Sequence, residues 1–401
     1  MKQKKYKFAF WLVGFTLLMV MTGTNLPSPL YEVYRDKWAF SSGTLALIFS
    51  TYALVLIPAL LLFGQLSDKF GRKKIVILGL LTSIVGSILF MIANNITWLF
   101  IARGFQGLSV GIISGAATAA LSELNPYTNK KIAALIASIA TAGGTALGPI
   151  VAGVLAQYTE NTVVTPYVAH LIIIFPVLIS LLFIPETITI ENNNRKFQIK
   201  VPKIPNNIKV PFFIGGLTAF SAWAVTALYM SLIPSYVSNL LGLQNLALTG
   251  GVVFLMLIVS VITQILFKGM AFSKSVSMGL ILLCIGLLGL VVAVPMDSIF
   301  VLTVATIITG MGQGFAFMGS LALVNEVTPD KVKGDVMSSL YVIIYLGVGL
   351  PVIGMGYIAQ ETSLYHAIAI FSVIIITITV ILLTLMSTTW KTSIRNIAQS
   401  S

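Results

Sequence analysis

Apolar residues occupy this chain in long unbroken runs, and the polar residues between them come in short clusters. Twelve runs stand out, near residues 8–28, 43–64, 75–93, 97–121, 132–157, 166–185, 211–237, 247–267, 275–294, 298–323, 336–358 and 364–388. Each is close to the roughly 20 residues with which a helix crosses the hydrocarbon core of a bilayer. The pattern predicts an all-α membrane protein of twelve transmembrane helices. Composition agrees: 57% of residues are hydrophobic and 9% charged, where soluble domains carry about a quarter charged. One long polar stretch, 187–210, contains Pro202 and Pro205. It is expected to be a cytoplasmic linker between a six-helix bundle over 1–186 and a second over 211–401 that ends in a short cytoplasmic tail.

The net charge of +12 would suit a nucleic-acid partner, but the placement of the charge excludes one. With Met1 on the cytoplasmic side, 21 of the 24 Lys and Arg residues fall in cytoplasmic segments, Arg35 and Lys37 fall outside, and Arg103 lies within a span. Such a bias orients membrane proteins, so both termini are expected in the cytoplasm and the lipid bilayer is the partner. Residues 1–23 imitate a secretory signal, yet no small-x-small cleavage site follows and the run is long enough to span, so this helix is expected to be retained. Cys284 is the sole cysteine, which leaves no intrachain disulfide or cysteine metal cluster.

A shift of 203 residues superimposes landmarks of the two halves: Gly107, Gly111, Glu123 and Pro126 fall on Gly310, Gly314, Glu326 and Pro329. This is a physical sign of duplication, and transporters built from two such halves bind substrate near the membrane midplane. A dense charged turn, Gly64-Gln65-Leu66-Ser67-Asp68-Lys69-Phe70-Gly71-Arg72-Lys73-Lys74, separates the second and third runs, whereas its second-half counterpart, Phe267 to Lys274, keeps little of it. Gly64 and Gly71 suit a close helix approach and a sharp backbone bend.

The pattern Gly-x-x-x-Asp-Lys-x-Gly-Arg-Lys resembles the loop between the second and third helices of the major facilitator superfamily of transporters. That resemblance implies a gating role for Gly64, Asp68, Lys69, Gly71, Arg72, Lys73 and Glu123. Asp68 would accept hydrogen bonds at the N-terminus of the eleventh helix, near 334–338, and Arg72 would pair with Glu123 at the inner end of the fourth. The bland alternative is that Lys69, Arg72, Lys73 and Lys74 only anchor the loop at the cytoplasmic face.

Arg103 is the one formal charge well inside a span, and buried guanidinium groups face a cavity or a partner. With Gly104, Gln106, Gly107 and Gly111 it resembles the Arg-x-x-Gln-Gly pattern of the superfamily's fourth helix, where that arginine is associated with proton or substrate coupling. The structural alternative bonds it to carbonyl groups or to Asn25. In the fifth helix Gly144, Gly148 and Ala152 recur on one face and can pack almost backbone to backbone, while Pro149 loosens the helix. Together with Gly153 they resemble the antiporter motif of drug:proton exporters, with Ala152 in place of a usual glycine.

The first helix ends in a segment with Pro27 and Pro29 that should break or bend it and expose Asn25 and Tyr31 as candidate substrate groups. Tyr34 reads as an interfacial anchor. Trp223, Tyr229, Gln313, Tyr341 and Tyr345, in helices seven, ten and eleven, complete the candidate substrate set. Each could instead pack between helices. None of the twelve acidic residues falls in the middle third of a span, so the carboxylate proton carrier of cationic-drug exporters is missing. Glu32 is the closest substitute, and joins Arg103 and Gln106 as a coupling candidate. His170 and His366 read as interfacial bystanders.

No nucleotide-binding loop, metal-ligand set or nucleophile constellation occurs, so no cofactor, no metal and no enzymatic activity are expected. Three functions remain open. The first is proton-coupled export of amphipathic drug-like molecules across a bacterial cytoplasmic membrane by a monomer. The second is uptake of a sugar, organic acid or other nutrient, and the third a non-transporting membrane sensor or scaffold.

Overall fold

The computed structural model describes residues 2–127, 131–187, 204–240, 242, 245–329 and 332–388. Most of the expected linker, 188–203, lies outside them, as does the side chain of Asp68. Among the described residues every regular element is helical. In chain order these are α1 (Lys2–Asn25), α2 (Tyr31–Trp38), α3 (Ser42–Phe70), α4 (Arg72–Met91), α5 (Ile96–Leu124), α6 (Lys131–Tyr158) and α7 (Thr165–Leu182). They are followed by α8 (Lys209–Ser231), α9 (Ile233–Leu240), α10 (Leu246–Leu266), α11 (Phe272–Ala293), α12 (Ile299–Val327), α13 (Lys333–Glu361) and α14 (Leu364–Thr388). Twelve helical stretches are long and apolar enough to cross a membrane. Phe183 and Phe300, 71% and 77% exposed, are at home only where lipid replaces water.

The helices fall into two compact units. One comprises 1–40, 48–199 and 245–254, the other 41–47, 200–244 and 255–401. Within each, the same scaffold recurs. The 203-residue shift carries both ends of α5 onto both ends of α12, and it carries Asn95 onto Ser298. Each of these is the N-cap of its helix, Asn95 accepting from Thr97 N–H and Ser298 from Val301 N–H, which satisfies a donor the first turn leaves free.

Packing repeats as well. A Cβ built at Gly107 would lie 2.3 Å from Tyr52 O, and one at Gly310 2.5 Å from Met256 O. At Gly79 it would meet Ile113, and at Gly279 it would meet Ala316, the residue one repeat later. Between apolar helices in lipid, association rests on van der Waals contact at small residues rather than on water exclusion. These glycines are therefore what lets α5 and α12 pack closely on their neighbours.

Three local features depart from the apolar runs. Residues 65–70 are helical and belong to α3, so the charged segment turns only at Gly71, whose φ of +99° excludes most other residues. A Cβ at Gly64 would meet nothing within 4 Å among the described residues, while the Gly64 Cα is the atom nearest a Cβ built at Gly115 of α5, 3.7 Å away. The seventh run is interrupted at Leu232, after which the short α9 begins.

Replacing Gly107 or Gly310 with Val should destabilise the purified protein by about 2 kcal/mol or more through overpacking. Gly143→Ala, at a position where a Cβ meets nothing within 4 Å, should leave the thermal unfolding midpoint unchanged or raised.

Candidate functional site

Pro27 has no N–H, so the carbonyl of Gly23, one turn before it, loses its helical donor, and α1 stops at Asn25. Side chains of α5 take over. Gln106 Nε2 donates to Gly23 O at 3.1 Å, and Arg103 Nη1 donates to Thr24 O at 3.1 Å and to Gln106 Oε1 at 2.8 Å. Arg103 Nη2 donates to Phe49 O at 3.2 Å in α3, and the guanidinium lies over the rings of Phe49 and Tyr52, 5.2 and 4.7 Å from their centroids. A cation at a helix C-terminus is also favoured by the helix dipole. Arg103 and Gln106 are 3% and 1% exposed, and their groups cap the broken end of α1. Asn25 is not Arg103's partner: its Nδ2 donates to Met21 O at 2.7 Å.

The same stretch of α1 receives α7 and α6. His170 is buried rather than interfacial, with Nε2 3.0 Å from Met19 O and Nδ1 3.0 Å from Ser87 Oγ. The carbonyl can only accept, so Nε2 carries the proton and Nδ1 accepts from Ser87. On α6, a Cβ at Gly144 would fall 2.3 Å from Leu18 O, and one at Gly148 2.8 Å from Thr22 O. Further along, a Cβ at Gly153 would lie 2.3 Å from Leu246 O, and Pro149 O is the atom nearest a Cβ built at Gly250. The glycine face of α6 thus meets α1 with its first part and the start of α10 with its last.

After the break, α2 turns Tyr31 and Tyr34 inward. Both are 1% exposed, and Tyr34 stacks on Trp38 rather than anchoring at an interface. Glu32, 6% exposed, is held by Arg35 three residues on.

In the first unit the charged segment is tied down by its neighbours. Arg72 Nε is 3.3 Å from Glu123 Oε1, Arg72 also donates to Ser67, and Thr187 donates to the other Glu123 oxygen. Lys73 Nζ donates to Leu182 O at 2.7 Å and Ile184 O at 3.0 Å, at the end of α7. Glu186 Oε1 accepts from the N–H groups of Lys73 and Thr187, a carboxylate at the start of α4 where the dipole favours it. Its other oxygen lies where a Cβ on Gly71 would be. Lys69 lies over Phe70, 5.8 Å from the ring centroid.

The second unit holds neutral polar groups. Tyr229 Oη donates to Thr306 Oγ1 at 3.3 Å, and Gln313 accepts from Ser260, which accepts from Gln264 Nε2 at 3.1 Å. Tyr229 and Gln313 are buried. Trp223 meets Phe317 edge to face and is partly buried, as is Tyr345, while Tyr341 is exposed. A polar hollow of about 550 Å³, lined by Ala322, Asn325, Glu326, Thr328, Pro329 and Lys333, opens at the C-terminal end of α12. Glu326 stands there at the position equivalent to Glu123. Among the described residues no group of three His, Cys, Asp or Glu side chains could hold a metal.

Sequence reasoning missed His170 and Glu186 as structural partners. The only signal for Glu186 was the segment Pro185-Glu186-Thr187 at the end of the sixth run.

Arg103→Lys should lower stability by about 2 kcal/mol, because an ammonium cannot serve three acceptors of fixed direction and stack on two rings. Glu123→Gln, at a pair whose carboxylate is 32% exposed, should change the unfolding midpoint by no more than about 1 kcal/mol equivalent.

A sequence model described as Major Facilitator Superfamily matches residues 13–350. Quinolone resistance protein NorA of Staphylococcus aureus (strain MRSA252) is 26% identical over 250 residues, which cover 61% of this chain and 63% of NorA, less than two-thirds of its length. MFS-type transporter MJ1560 of Methanocaldococcus jannaschii is 22% identical over 386 residues, 93% of this chain and 97% of that one. Among solved structures, a bacterial homolog of the human lysosomal transporter Spinster, inward-facing and unoccupied, superimposes with a TM-score of 0.75 at 13% identity, covering 98% of each chain. A peptide transporter, POT, in complex with sulfate, does so with a TM-score of 0.74 at 14% identity over 95% of this chain and 94% of its own. The match over most of the chain, the twelve membrane helices and the shared fold lead to one conclusion: this chain is a multi-pass membrane protein that belongs to the Major Facilitator Superfamily of transporters.

Proposed function

We propose that this chain is a secondary active transporter that exports amphipathic, drug-like molecules in exchange for protons. It works by alternating access, as a monomer, in a bacterial cytoplasmic membrane with both termini inside. The observation that carries this reading is a convergence on residues 18–25 of α1. There the Arg-x-x-Gln-Gly segment of α5, which resembles a pattern of the superfamily's fourth helix, and the Gly-Pro segment of α6, which resembles the antiporter motif of drug:proton exporters, both make their contacts. NorA, a relative named for quinolone resistance, supports the same substrate class.

In this mechanism α1 is the coupling element. Its end is held by hydrogen bonds from Arg103 and Gln106 of α5, so a shift of α1 against α5 must break and remake them, which couples the two helices. Glu32 is the proton carrier. It is the ionisable carboxylate nearest the broken end, nearly buried and paired with Arg35. Protonation would cancel that pair and leave a neutral acid suited to a low-dielectric site. Arg103, the one charge deep in a span, disfavours cationic substrates and suits neutral or anionic ones.

Everted vesicles with an acid interior and a pH-sensitive dye test this directly. Adding a transported compound should release protons in a protein-dependent manner, and Glu32→Gln should abolish the release while leaving expression normal. Full release by the variant would remove Glu32 as carrier. No release across a broad panel of amphipathic compounds would overturn the export reading in favour of uptake or a non-transport role.

A further inference from the structure

The contact of α6 with the start of α10 recurs, with the halves of the sequence exchanged, between α13 and the start of α3. On α6, a Cβ at Gly153 would lie 2.3 Å from Leu246 O in the first turn of α10, and one turn further on Gln157 Oε1 accepts from Leu246 N–H at 2.8 Å. The shift of 203 residues carries Gly153 onto Gly356, Gln157 onto Gln360 and Gly43 onto Leu246. On α13, a Cβ at Gly356 would lie 2.8 Å from Ser42 O in the first turn of α3, and Gln360 Oε1 stands 2.6 Å from where a Cβ on Gly43 would be. Residues four apart share one face of a helix, so Gly-x-x-x-Gln presents a gap and an amide to the same strip of backbone. The glycine lets two backbones touch, and the glutamine oxygen stands where the N–H groups of a first turn lack helical acceptors.

Each compact unit holds one of these contacts. The first contains α6 together with 245–254, and the second contains α13 together with 41–47. Both α3 and α10 therefore begin in one unit and continue into the other. Helices bend sharply at proline or glycine, yet α3 has neither between Gly43 and Pro58. In α10 Gly250 is itself held, with Pro149 O 2.3 Å from its would-be Cβ. Helices this stiff cannot follow a movement of one unit past the other while both first turns stay gripped. A contact sealed by glycine also gives way abruptly, since a gap of about 1 Å forfeits up to half of its van der Waals attraction.

We propose that Gly153 with Gln157, and Gly356 with Gln360, are two equivalent latches on the first turns of α10 and α3, and that they release together when the transporter changes state. The inference rests on the alternating-access part of the reading above, and on neither the substrate nor the proton.

The test is thiol labelling of Thr249→Cys in a Cys284→Ala background, in membranes without substrate. Thr249 lies in the first turn of α10 and is 2% exposed, so a thiol there is reached only while that latch is open. Labelling should be slow in this parent. Gln157→Leu should speed it about fivefold, the population shift that follows the loss of one hydrogen bond. Gln360→Leu alters only the other latch, in the second unit, and should speed labelling as well, which a purely local contact would not do. Gln157→Glu keeps an acceptor at a helix N-terminus, where negative charge is favoured, and should label no faster than the parent. The proposal is overturned if Thr249→Cys never labels or if Gln157→Leu leaves the rate unchanged. It is equally overturned if Gln360→Leu leaves the rate unchanged, which would make the two contacts independent packing. None of these measurements uses a substrate or a proton gradient, so failure of the export reading would leave their result standing.

Discussion

A backbone carbonyl in the middle of a membrane protein must have a donor, and Pro27 removes the one that Gly23 would have used. The architecture of the first unit follows from how that debt is met. Gln106 supplies the missing donor, Arg103 supplies the next one at Thr24, and both stand one turn apart on α5. To hold them there, α5 must lie close to α1 and α3, and Gly107 and Gly111 provide the room against Tyr52 and Leu56. The glycine face of α6 and the ring of His170 then close on the same stretch of α1 from other directions. The buried Arg103 is here a structural cap that ties α1 and α3 to α5.

The two halves share a scaffold and differ in charge. Equivalent positions carry Arg103 and Thr306, or Gln106 and Thr309, and the packing of α4 on α5 recurs for α11 on α12. Duplication preserved the small residues, whose loss would push backbones apart, and left the polar positions free to diverge. The first unit kept the arginine, the charged segment and the Arg72–Glu123 pair, while the second built a neutral chain from Ser260, Gln264 and Gln313.

Much of this was legible in the sequence because it is local or periodic. Twelve spans follow from run length, and the recurrence of glycines 203 residues apart foretold the matching helices α5 and α12. The pairing of Arg72 with Glu123 followed from the family resemblance of the charged segment. What could not be read depends on contacts between distant segments that leave no period. His170 looked interfacial because it stands near the start of its run, yet it is 151 residues from its partner Met19 and fully enclosed. Tyr34 looked like an anchor for the same reason, and only the inward turn of α2 after the proline pair buries it. Gly71 is a true bend, while the backbone of Gly64 lies beside Gly115 within a continuous helix.

The central claim is that Gln106 serves the carbonyl that Pro27 sets free, and a double-mutant cycle on thermal stability tests it most directly. Pro27→Ala restores an N–H that can reach Gly23 O, so Gln106→Leu should cost clearly less in that background than in the wild-type protein, by about 1 kcal/mol, the worth of one hydrogen bond. If the two substitutions are strictly additive, Gln106 does not stand in for the missing donor, and the account of the broken first helix is wrong.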